Sequence, residues 1–464
     1  MVFSSITFLF YFLPAMLIVY FIAPSVRVKN IVLLIGSLFF YAWGEPVYVI
    51  LMLISICGNF FLVKYMSAAK SSGCSVKKHL AYAVIWNIAI LFFFKYSNMV
   101  IGLINHLTGA GISELSLSLP IGISFYTFQA LSYVIDVYRG DAECQSNILD
   151  FGLYISMFPQ LIAGPIVKYT DIEKALHRRR VSAAAFGKGA EIFIIGLAKK
   201  VLIANNVGML FTQISSAPAD TRSLACVWLG AAAYTFQIYF DFSGYSDMAI
   251  GLGYMFGFRF PENFRYPYIS GTVTEFWRRW HISLSSWFRD YVYIPLGGSR
   301  AGTVRHIRNI IIVWALTGLW HGANGNFLLW GLYYAFWLIL EKYVFARFLK
   351  QHPKTGHLTT GLIFIFGWVI FAFTDIGQLG TYLGQMFGIG AAGIADGSTI
   401  YMLYTSAILL IIAALASTPL LYSLFRKIRK NARPLALVIL VMVAAVSIAF
   451  LVYQSYNPFL YFRF

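Results

Sequence analysis

Apolar runs recur from one end of the chain to the other, most of them about 18 residues or longer, the length a helix needs to cross a bilayer. They fall near 5–24, 29–43, 46–66, 80–104, 120–138, 148–167, 187–213, 223–257, 310–340, 358–374, 399–425 and 435–456. Backbone polar groups in lipid must be satisfied within the segment, so runs of this kind become helices. No polar stretch between them is long enough for a soluble domain. With 59% of residues hydrophobic and 11% charged, the chain also lacks the polar surface of a soluble protein. The expectation is an all-α polytopic membrane protein, with 1–464 as one integral-membrane domain.

The net charge is +17, but its basic residues sit in short loops: Lys64 to His79, Lys168 to Arg180, Arg259 to Arg308, Glu341 to Lys354 and Arg426 to Arg433. That is the positive-inside pattern, which reports orientation and affinity for anionic headgroups and points to no nucleic-acid partner. The start, "MVFSSITFLFYFLP", lacks a basic n-region and a small-residue cleavage site, so it reads as a retained span. Cys57, Cys74, Cys144 and Cys226 are far apart and form no C-x-x-C pair, so they read as free thiols.

Placing every basic loop on the cytoplasmic side raises a parity problem. Three apolar segments lie between Lys64–His79 and Lys168–Arg180, and an odd number of crossings cannot return the chain to the same side. At least one is re-entrant or interfacial. The segment 310–340 is flanked by basic loops on both sides and interrupted by "HGANGN". Read as two halves of about ten residues, each too short to span about 30 Å, it forms a re-entrant turn with His321 at the bottom of a cavity. The alternative is one long tilted helix kinked at Gly322.

Polar residues mark two further helices. Gln129, Ser132 and Asp136 share one face, as do Asp241 with Tyr245 and Ser243 with Asp247. Such faces point into a bundle or cavity, or join helices to one another. Region 258–309 carries eight arginines against Glu262, Glu275 and Asp290, interleaved with Trp277, Trp280 and Trp287. This composition suits an amphipathic cytoplasmic or interfacial segment. A helix is expected over Thr274–Tyr293, with Trp277, Trp280, Ser283, Leu284 and Trp287 near one face. Arg278 and Arg279 suit either phosphate groups of a donor or lipid headgroups.

Six of the eight histidines lie in or beside polar loops; His281 and His321 sit among dense aromatics. Around His321, Gly322 and Gly325 allow close approach of a substrate, and Asn324 and Asn326 offer amide partners. A buried, neutral imidazole suits general-base removal of a proton from an acceptor hydroxyl during acyl transfer. The rival reading is a satisfied core histidine. Two histidines 40 residues apart, with no Asp, Glu or Cys cluster, are a poor metal site. There is no G-x-S-x-G, phosphate-loop or dinucleotide motif, which disfavours a serine hydrolase or an ATP-driven pump.

The stretches "FWRRWHISLSSWFRDYVYIPLGGSR" (276–300), "GLWHGANGNFLLWGLYYA" (318–335), "YFDFSGYSDMAIGLG" (239–253), "FPQLIAGPI" (158–166), "LPIGISFYTFQALSYVIDVYRG" (119–140) and "NPFLYFRF" (457–464) resemble the membrane-bound O-acyltransferase (MBOAT) family, in particular its bacterial alginate O-acetyltransferase branch. The resemblance covers nearly the whole chain. It implies a ring of 10–12 transmembrane helices, with re-entrant or interfacial helices around a central funnel, in a bacterial inner or plasma membrane. His321 matches the catalytic histidine of the family, and His281 the second histidine of this branch. The chain departs from the family pattern at Gly325, where relatives carry an aromatic residue, and at Ala372, where they carry arginine.

The function so implied is acetyl transfer from a cytoplasmic thioester to an extracellular polysaccharide, an alginate-like exopolysaccharide or a cell-wall glycan. His321 would act as general base, and His281 would orient the thioester or polarise its carbonyl. Trp277, Arg278, Arg279, Ser283, Asp290, Asn324 and Asp241 are the expected donor- and acceptor-binding residues. The donor is acetyl-CoA or an acyl-carrier thioester, with no bound cofactor or metal, and a separate secreted or membrane-anchored partner completes transfer. Two rivals stand beside this: D-alanyl transfer from a carrier protein to teichoic acid, and a non-enzymatic transporter with Asp136, Asp241 and the histidines as a proton relay.

Overall fold

A computed structural model describes residues 1–162, 164–300, 302–454 and 456–460. The described residues are helices and connecting loops without a β-strand, as the lack of hydrogen-bond partners in lipid requires. Eight helices among them are long and apolar enough to span: Val26–Gly44, Tyr48–Ser71, Lys77–Thr108, Ala183–Ser216, Gly325–Gln351, Pro353–Ala372, Gly397–Ala416 and Arg433–Tyr453. Leu224–Phe256 and Thr303–His321 match these in length but carry Asp241 and Asp247, and Arg305 and Arg308. The protein is an all-α, multi-pass membrane protein.

The chain divides into two compact units, Met1–Phe193 with Ser246–Pro261, and Ile194–Tyr245 with Glu262–Phe464. In the first, the apolar run 148–167 is not one helix. That run breaks into the nine-residue helix Ile148–Ser156, an extended Met157 and a single turn at Phe158–Leu161. Nine residues rise only about 13 Å. The Ile123–Arg139 helix is buried along almost its whole length. Ser132 Oγ donates to the Gln129 carbonyl of its own helix at 2.8 Å, and Tyr154 Oη, from Ile148–Ser156, donates to the same carbonyl at 3.0 Å.

In the second unit, segment 310–340 belongs to a helical hairpin, neither two ten-residue halves nor one kinked helix. Thr303–His321 has 19 residues and Gly325–Leu340 has 16, joined by extended Gly322 and the two residues after it. The first arm starts seven residues before the apolar run, because His306 is buried with its Nδ1 2.6 Å from Tyr343 Oη. An up-and-back hairpin also brings the two flanking basic loops to the same end of the pair. Two glycines set how closely the arms meet. A Cβ at Gly318 would lie 2.3 Å from the Phe327 carbonyl oxygen, and one at Gly331 would lie 2.2 Å from that of Trp314.

The helix expected over Thr274–Tyr293 is instead three pieces: Val273–Arg279, Ile282–Phe288 and a π-helical turn, Arg289–Tyr293. It breaks at His281, which adopts the left-handed conformation at φ 42°, ψ 56°. A non-glycine residue there is strained by roughly 1–3 kcal/mol, so surrounding bonds must hold it. They come from the segment after Pro261: Ile282 N–H donates to the Asn263 carbonyl, and Arg265 N–H to that of Arg279, each at 2.9 Å.

Candidate active site

Both histidines line one cavity of about 550 Å³ in the second unit, within the ~300–1,000 Å³ range of small-molecule sites. Its walls come from Val273–Arg279, the break, Ile282–Phe288 and both hairpin arms. His321 closes the first arm and is 6% exposed. Its ring is edge-on to Trp330 and Phe371, with centroids 5.0 and 5.1 Å away. Glycine at 322 lets the Phe327 ring pack beneath the turn, since a Cβ there would lie 2.3 Å from that ring. The hairpin tip is thus fixed by aromatic packing, which holds the imidazole in place.

His281 is 1% exposed. Its ring is edge-on to Phe242 at 4.6 Å and lies 6.0 Å from Trp320, the neighbour of His321. Nδ1 lies 3.1 Å from Asn263 Oδ1. His281 is outside the spanning helices, and burial among these rings pushes its pKa down from 6.5 to about 3. It is neutral at physiological pH.

The expected binding residues divide. Trp277 and Arg278 line the cavity with the histidines. Trp277 is buried edge-on against Trp314 and Tyr334, with centroids 4.6 and 4.7 Å away, while Arg278 is exposed. The remaining five do not line it. Arg279 turns away to Glu275 at 2.8 Å and to the Arg265 carbonyl at 3.2 Å. Ser283 Oγ donates to Asn263 Oδ1 at 2.9 Å, behind His281. Asp290 pairs with Arg289 at 2.7 Å. Asn324 is exposed at the hairpin turn.

Asp241 is bound elsewhere. It forms a buried ion pair with Lys200, the two side chains 3% and 2% exposed, and accepts a hydrogen bond from Leu460 N–H at 2.9 Å. Lys200 also donates to the Pro458 carbonyl. The described part of the "NPFLYFRF" motif is therefore tied to Asp241, while residues 461–464 lie outside the described residues. Asp136 belongs to the first compact unit.

Two residues emerge from the structure alone, and a third gains its partner there. Asn263 contacts His281 from 18 residues away, beyond any local periodicity. Arg289 lines the cavity beside Arg278, and "SSWFRDY" contains no pattern that separates it from the other arginines. Asn326 is fully buried and donates to the Ile370 and Phe371 carbonyls at 3.2 and 3.3 Å, fastening the second arm to the end of Pro353–Ala372. Its place in "HGANGN" singled it out, but without this partner.

The profile of the membrane-bound O-acyltransferase (MBOAT) family matches residues 142–383, a stretch that contains the whole cavity. The chain is 39% identical to a probable alginate O-acetylase of Pseudomonas putida, over all of both chains. It is 33% identical to a peptidoglycan O-acetyltransferase of Helicobacter pylori, over 85% of this chain and 81% of the relative. Similarity to a teichoic acid D-alanyltransferase of Bacillus subtilis is 29%, over 54% and 67%. These matches overturn the transporter reading. Two histidines on one cavity in a multi-pass helical protein, together with this similarity, establish that the chain is an O-acyltransferase and belongs to the MBOAT family.

Proposed function

We propose that the protein moves an acetyl group from a cytoplasmic thioester, acetyl-CoA or an acyl carrier, to a hydroxyl of an extracellular polysaccharide, alginate-like or of the cell wall. The observation that carries this reading is the convergence of His281 and His321, 40 residues apart, on one cavity. Arg278 and Arg289 line the same cavity and are both exposed, where guanidinium groups suit a phosphate-bearing donor. His321 takes the proton of the acceptor hydroxyl as its oxygen attacks the thioester carbonyl. The C–S bond breaks, and the departing thiolate takes up the proton that His321 holds.

Similarity over 85–100% of this chain to relatives named for O-acetyl transfer, against 54% of it to a D-alanyltransferase, favours acetyl over D-alanyl. We place the protein in the bacterial inner or plasma membrane, single-domained over 1–464, with a separate secreted or membrane-anchored partner completing transfer. The test is His321→Ala in cells: the protein stays inserted at wild-type amount while O-acetyl content of the envelope polysaccharide disappears. Wild-type acetyl content refutes the assignment.

A further inference from the structure

Building on the acyl-transfer reading, we propose that Asn263 is a positioning residue that locks His281 in its Nδ1–H tautomer, so that Nε2 meets substrate as a hydrogen-bond acceptor. One amide oxygen carries the argument. Asn263 Oδ1 lies 3.2 Å from the backbone N–H of Ser283, 2.9 Å from Ser283 Oγ and 3.1 Å from His281 Nδ1. A backbone N–H can only donate, so the atom facing it is the oxygen and not the amide nitrogen. The same oxygen faces His281, so Nδ1 must carry the proton there. In a neutral imidazole that leaves the lone pair on Nε2.

The lock is built into the backbone as well. The left-handed turn at His281 points the ring back toward the 263–265 segment, and the Ile282 N–H to Asn263 carbonyl bond closes the same loop at 2.9 Å. Side chain and main chain of Asn263 thus hold side chain and main chain of the histidine region together. An Nε2 without a proton cannot polarise a thioester carbonyl or protonate a leaving thiolate. It can hold an O–H or N–H, so the group it orients is the acceptor hydroxyl or an amide of the donor's arm. Of the two roles expected for His281, orienting survives.

The test combines a spectrum and kinetics. In membranes containing 15N-histidine-labelled protein, solid-state NMR with His281 assigned by comparison with His281→Asn should show Nδ1 protonated and Nε2 bare. In Asn263→Ala the ring should populate both tautomers, with kcat falling by roughly 10²-fold and the donor KM little changed. Asn263→Asp restores an acceptor oxygen: it should keep the tautomer, recover kcat and gain an acid limb in the pH–rate profile, because a carboxylate favours the imidazolium. A wild-type spectrum with Nε2 protonated overturns the proposal, as does Asn263→Ala with wild-type kcat. The spectrum is taken without substrate, so it decides the tautomer even if acetyl transfer fails as the reaction.

Discussion

Gly331→Ala adds one methyl where the hairpin has no room for it. The new Cβ would sit 2.2 Å from the Trp314 carbonyl oxygen, against about 3.4 Å for an ordinary contact. The obstacle is backbone of a packed helix, not the end of a flexible side chain, so the arms must separate locally by about 1.2 Å. Overpacking of this kind destabilises by about 1–3 kcal/mol. The effect on catalysis should be larger than the effect on folding. His321 ends the arm that Gly331 presses against, and a displacement near 1 Å at a reacting group lowers rate by about 10²-fold. Gly325→Ala, in the same motif, is the control: nothing lies within 4 Å of its added Cβ. The assay is transfer of labelled acetyl by membranes with equal amounts of each variant, alongside thermal unfolding in detergent. Equal rates and midpoints for the two variants would refute the close-packed hairpin as the source of His321's placement.

Arg278→Ala should raise the donor KM about tenfold, the loss of roughly 1.4 kcal/mol of charged contact, while Arg279→Ala, whose guanidinium is held by Glu275, leaves it unchanged; steady-state kinetics separates them. His281 binds a proton near 6.5 unfolded but only near 3 when folded, so the native state loses stability as pH falls between those values, by up to ~1.4 kcal/mol per unit. His281→Asn, which tolerates the left-handed turn, should flatten the thermal midpoint over that window. Lys200→Met strands a buried carboxylate and should destabilise by about 3–5 kcal/mol; a double-mutant cycle with Asp241→Asn should recover part of it, and purely additive midpoints would exclude the pair as a coupled unit.

The spanning helices were legible because length and apolarity alone select them. The interrupted motif at His321 was legible too, since "HGANGN" cannot continue a helix at membrane depth. The first arm's true start was not: "TVRHIRN" looks like a solvated loop until Tyr343, just past the end of the second arm, covers His306. The break at His281 was equally hidden, because its cause lies in Asn263, and the local pattern from Thr274 to Tyr293 is a good helix. Asp241 sits on a polar helix face, a pattern that fits a cavity wall and a helix-joining contact equally; its partner in the structure, Lys200, lies 41 residues earlier. Periodicity reports which face a residue occupies; it does not report which distant chain arrives there.

The Lys200–Asp241 pair sets an order on how the protein can be completed during synthesis. Lys200 and Asp241 leave the ribosome close together, but the Pro458 carbonyl and the Leu460 N–H follow 258 and 219 residues later. Until then the two charges have each other and an open slot beside them. The slot closes only when residues 458–460 reach it, so without them the lysine and carboxylate lose the Pro458 carbonyl and the Leu460 N–H as partners.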